Sequence, residues 1–235
     1  MHGNPASPAR HVRFERRELR RTVGAAPSRA ALLSAALCGA LPGAACAYTA
    51  TLGAASPQTV FLQVGVGTFT NPPYINGGQP ANNTTINTVS ATVASSAVGT
   101  GTAQAMTTNS TQTQSFWDNY IYCSVPGQVY IGGFYRTAGG TTAAALVTAT
   151  VPAALTDTAG DTIPFSKIQW TSSGNGDSGA EPFPAGTFVN GGVQNVGSMA
   201  SNTWNESCWT FSYLNNSIPP AGTFTGVVRY TLSAP

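Results

Sequence analysis

Wherever this chain has a hydrophobic period, the period is two. In residues 219–235, Phe224, Val228, Tyr230 and Leu232 fall on one side with Gly226 among them. Thr223, Thr225, Val227, Arg229, Thr231 and Ser233 fall on the other. Successive side chains of a strand point to opposite faces, so this alternation predicts a long, half-buried β-strand. Residues 58–68 repeat the pattern with Val60, Leu62, Val64 and Val66 on one face. Residues 85–98 set Val89, Ala91 and Val93 against Ser90 and Thr92, and residues 203–214 set Trp209, Phe211 and Tyr213 against Cys208, Thr210 and Ser212.

Turn chemistry separates further candidates. Pro126 and Gly127 divide residues 116–125 from residues 128–136, which reads as a hairpin, and Gly139 and Gly140 lead into a strand over 141–151. The alanines at 143–145 fit a helical turn equally well. Shorter strands are expected at 163–170 and 186–189, while the polar stretch 99–114 reads as a long loop. No segment carries a 3.6-residue period. About ten strands with turns between them predict an all-β protein, an antiparallel sandwich or barrel, in one domain over residues 48–235.

The beginning of the chain follows different rules. Seven arginines between Arg10 and Arg29 precede an apolar run over 30–41 and the small-residue exit Ala45-Cys46-Ala47. This is the order of a secretory signal peptide, so residues 1–47 are expected to be removed on export, to the periplasm, the bacterial surface or the medium. The apolar run falls short of the roughly 20 residues a spanning helix needs, and no membrane span is expected in the mature chain.

Removing the leader changes the electrostatic picture. The full chain has a formal net charge of +2, but the mature part keeps Arg136, Lys167 and Arg229 against Asp118, Asp157, Asp161, Asp177, Glu181 and Glu206. That excludes a basic nucleic-acid surface. Both histidines, His2 and His11, lie in the leader, as do Cys38 and Cys46. Cys123 and Cys208 are left as one even pair in an exported chain, the arrangement of a disulfide.

Little catalytic chemistry survives this inventory. Gly176-Asp177-Ser178-Gly179 resembles the surround of the nucleophile in trypsin-like serine proteases, but a serine hydroxyl needs a base and the mature chain has no histidine. Asp157 with Asp161, and Asp177 with Glu181, are the carboxylate pairs from which a glycosidase or an oxygen-ligand calcium loop could be built. Both sit among Gly, Ser and Thr, where Asp commonly bonds its own backbone. Imidazole- or thiolate-based metal sites lack ligands, so no metal and no cofactor is expected. Trp117, Trp170 and Trp204 are the candidate ligand aromatics, which, if exposed, could stack on sugar rings.

The alternating N-terminal stretch 58–68, the low charge, the single cysteine pair and the ending over 221–232 together resemble bacterial fimbrial subunits of the chaperone–usher type. The resemblance implies an immunoglobulin-like antiparallel β-sandwich completed by strand addition between subunits. Val60, Leu62, Val64 and Val66 would be the inserting residues. The expectation is therefore an exported, non-catalytic structural or adhesive protein that self-assembles or joins other surface subunits. A glycan-binding module is the alternative, and a secreted glycan-active enzyme the third.

Overall fold

The computed structural model describes residues 50–139, 143–175 and 180–235. The leader expected at 1–47 and the motif at 176–179, with Asp177 and Ser178, lie outside the described residues. The described part is an antiparallel β-sandwich. Its strands are β1 (Ala50–Thr51), β2 (Thr59–Val64), β3 (Thr68–Thr70), β4 (Gln79–Ala81), β5 (Val89–Ser90), β6 (Gln104–Ala105), β7 (Thr107–Thr108) and β8 (Val129–Arg136). They continue with β9 (Ala145–Val151), β10 (Ala154–Thr156), β11 (Thr162–Pro164), β12 (Ile168–Ser173), β13 (Gly186–Thr187), β14 (Gly192–Met199), β15 (Thr203–Tyr213) and β16 (Arg229–Ser233). Among the described residues no helix is long and apolar enough to cross a membrane.

The strand that organises the molecule is β15, not the terminal one. It pairs with β12 over residues 208–213 and with β8 over residues 203–207, and takes β1 and β6 at its two ends. The large sheet runs β13-β12-β15-β8-β2, and a second sheet runs β14-β9-β16. Between them lies a core to which β8 contributes Val129 and Ile131, β15 contributes Trp209 and Phe211, and β9 contributes Ala145, Val147, Ala149 and Val151.

The large sheet is buried on its other face too. There Tyr130 and Phe134 of β8, with Trp204 and Cys208 of β15, pack under Ala50, Leu52, Phe116, Tyr122 and Cys123. A cover of loops and short strands thus lies on the sheet opposite the three-stranded one. Strand β8 is consequently buried along both faces from Val129 to Tyr135, which explains its near-continuous apolar sequence. Its Gly133 is set by close approach: a Cβ there would fall 2.0 Å from the Phe61 carbonyl oxygen of β2.

Several expected elements differ. The terminal strand is confined to β16, because the chain before it crosses closely over Phe165, where a Cβ on Gly226 would lie 2.6 Å from the ring. Tyr230 and Leu232 still pack on the inter-sheet core. Residues 116–125 are not half of a hairpin; they turn at Asn119, whose φ is 66°, and serve as the cover. The expected strand over 85–98 reduces to β5. The alanine-rich stretch, by contrast, enters β9 rather than a helical turn, with Ala145 and Val147 facing inward.

Candidate functional site

Alternation along β15 decides what the cover meets. Trp204, Glu206 and Cys208 share the face turned to it, while Trp209, Phe211 and Tyr213 face the inter-sheet core. Glu206 therefore carries a carboxyl into an aromatic layer, where it is 9 % exposed. Three side chains hydrogen-bond to it. Ser115 Oγ lies 2.8 and 2.9 Å from its two oxygens, and Oε2 also accepts from Tyr130 Oη at 2.7 Å and Trp204 Nε1 at 2.9 Å. The Glu206 backbone carbonyl accepts from Tyr122 Oη at 3.0 Å.

Gly132 makes this arrangement possible. It sits opposite Glu206 in the β8–β15 register, and a Cβ there would fall 2.2 Å from the Tyr130 hydroxyl. The bare glycine lets the tyrosine lie along its own strand toward the carboxylate.

Burial pushes the Glu206 carboxyl above the ordinary carboxylate value. The charge of Asp118 adds to the rise, and the bonds from Trp204, Tyr130 and Ser115 act against it. Burial first, and Glu206 second, hold the Tyr130 hydroxyl well above its usual value, so it stays a donor through the neutral range. Among the described residues, no cation is a hydrogen-bond partner of this carboxylate.

Beside Glu206 the disulfide Cys123–Cys208 ties the cover to β15, with a Cα–Cα separation of 5.6 Å. Farther along, Tyr74 and Trp117 stack at 5.9 Å and both approach the Trp204 ring. Arg136 closes that end: its guanidinium donates to the Tyr74 hydroxyl at 3.0 Å and to the Gly53 carbonyl at 2.7 Å. Two backbone bonds, from Tyr74 N to Phe116 O and from Ile75 N to Trp117 O, both 3.0 Å, join the neighbouring loops.

The three candidate tryptophans do not form one platform. Trp170 is buried in the inter-sheet core, with its Nε1 donating to the Pro184 carbonyl at 2.8 Å. Trp204 is buried under the cover, and Trp117 alone keeps part of its surface in solvent. A flat aromatic face is apolar on both sides, so packing between layers consumed the other two.

The candidate inserting residues are divided as well. Leu62 and Val64 pack on the inter-sheet core, Val60 is half exposed, and Val66 lies beyond Gly65, whose φ is 76°, outside the β2 ladder. Its carbonyl accepts from the Gln63 and Asn83 side-chain amides. Strand β2 pairs with β8 of its own chain.

Of the carboxylates, Asp157 Oδ1 accepts from the amides of Ala159 and Asp161 at 3.0 and 2.8 Å, the self-bonded turn that its neighbours suit. Glu181 accepts from Ser207, which points away from the cover. Among the described residues no group of three His, Cys, Asp or Glu side chains is placed to hold a metal ion.

Glu206 is the functional residue the sequence did not single out; it stood only among the six acidic residues of the mature part. Its signal was the i±2 spacing: the only residues sharing its face nearby are Trp204 and Cys208. No protein-family model, no curated protein and no solved structure matches this chain.

Proposed function

We propose that the mature chain is an exported, non-catalytic structural protein of the bacterial surface that associates with further subunits by strand addition. The observation that carries this reading is the pair of sheet edges at β2 and β16. The two strands lie against each other, yet each is hydrogen-bonded on one side alone among the described residues. Unpaired strand edges are templates for another strand. Val60, half exposed on the β2 edge, is the inserting position open to solvent. Light scattering of the purified protein over a wide concentration range tests the reading. Assembly that grows with concentration and is lost in Val60→Lys is the expected result, because a charge on an edge opposes strand pairing. A protein that stays monomeric throughout, or assembles equally well with the lysine, overturns it.

A second reading, a glycan-binding module, rests on Trp117. Its partly exposed ring stacks on Tyr74, and its Nε1 is buried with no hydrogen-bond partner among the described residues. A glycan array decides it: binding that disappears in Trp117→Ala supports the module, and a blank array dismisses it.

A further inference from the structure

We propose that the layer over residues 109–123 is a latch fastened through Glu206 that loosens as pH rises. Among the described residues, the isolated bridge from Gln114 to Ile121 is the only ladder pairing within that layer, so side chains and loop amides hold most of it. Ser115 is the centre. Its hydroxyl donates to Glu206 and accepts from the Trp117 amide at 3.0 Å, while its backbone N–H donates to the Tyr120 carbonyl at 2.8 Å. One carboxylate thus fixes the turn that places Phe116 and Trp117 on the sheet.

The groups around that carboxylate are known from every side. From β8 comes Tyr130; from β15, Trp204; from the cover, Ser115, Tyr122 and the charged Asp118. The disulfide beside it does not titrate. Arg136 is engaged with Tyr74 and the carbonyls of Gly53 and Ala54, and among the described residues no cation gives the Glu206 side chain a hydrogen bond. Among the described residues, an anion formed here gains three donors and no hydrogen-bonded cation, and it leaves water in an aromatic layer.

The sign follows from linkage. The carboxyl's value is raised when the cover is closed and ordinary when it is open. The open form therefore binds fewer protons between the two values, and opening becomes easier as pH increases. The latch is fully fastened below the ordinary carboxylate range and loosens up to the raised value. The disulfide keeps Cys123 attached to β15 throughout, so the motion is a local opening of residues 109–122.

Hydrogen exchange on the intact exported protein, corrected for the intrinsic rate at each pH, tests this. The amides of Tyr74, Ile75, Ser115 and Trp117 are expected to lose protection by up to about tenfold per pH unit inside the window, while those of β9 and β16 stay constant. In Glu206→Gln the cover's protection is expected to be flat with pH. Cover protection that follows the same pH course in both proteins, or a loss shared equally by β9, overturns the latch. Should the glutamine variant fail to fold, carbon-13 NMR of glutamate in the wild-type protein reads the titration directly. A Glu206 that ionises in the ordinary carboxylate range overturns the proposal by itself.

Discussion

The two buried faces of the large sheet are built from different chemistry. Between the sheets, Ile131, Val147, Val196 and Met199 pack with Phe165, Phe183, Trp170 and Trp209, and the tryptophan N–H groups are discharged onto the backbone carbonyls of Pro184 and Phe183. Under the cover, a carboxylate, three hydroxyls, an indole and a disulfide share the space with aromatic rings. The first face is closed by a second sheet, with a full ladder of its own. The second is closed by loops. Apolar burial dominates the first, whereas the second depends on bonds to one buried carboxyl, and such bonds can be switched.

That contrast can be broken, and the largest effect belongs to the disulfide. Replacing Cys123 and Cys208 by serine releases a cross-link spanning 85 residues, worth about 4 to 5 kcal/mol in the chain-entropy model. Chemical denaturation should show that loss, with cover amides exchanging faster than those of β9. A melt unchanged by reduction would detach the cover's stability from the bond. Trp209→Ala attacks the other face. Trp209 is fully buried, and its truncation is expected to cost about 3 to 5 kcal/mol, unfolding both layers together because β15 belongs to both.

Smaller changes sharpen the comparison. Ser115→Ala removes one donor to Glu206 and the acceptor of the Trp117 amide, a loss of about 1 to 3 kcal/mol. It should appear as faster exchange of residues 115–122 with β9 unaffected. Glu206→Gln is the mildest. Because the folded-state carboxyl value is raised, the wild-type residue contributes its full stability below the unfolded value and loses it as pH rises through the folded one. The difference in Tm should therefore move in the variant's favour with increasing pH. A constant offset across the range would assign Glu206 a purely steric role.

Particular elements show how far the sequence could be read. The partnership of Cys123 and Cys208 was legible because Cys38 and Cys46 fall in the segment expected to be a leader, leaving a single pairing. The shared face of Leu62 and Val64 was legible from alternation, while β9 was expected only as a strand over 141–151, with its alanines fitting a helical turn as well. Even the double burial of β8 was written in its run of Val129, Tyr130, Ile131, Phe134 and Tyr135, which alternates with nothing polar. Residues 116–125 misled because aromatics are as common in strands as in the layers that cover them. What distinguishes the two is the turn at Asn119 and the bond from Ser115 to a residue 91 positions away. The candidate site was hidden for the same reason, since its donors come from three separated segments.

The sequence by itself determined the class of fold and which cysteines to expect together. Each follows from composition or from a period of two residues, both local properties of the chain. Tertiary structure alone decided that β15 is central, that the large sheet is covered on both faces, and that Glu206 is enclosed. A strand's sequence records that a face is apolar, but what lies against that face is a contact between distant segments, and burial of a carboxyl is a property of those segments together.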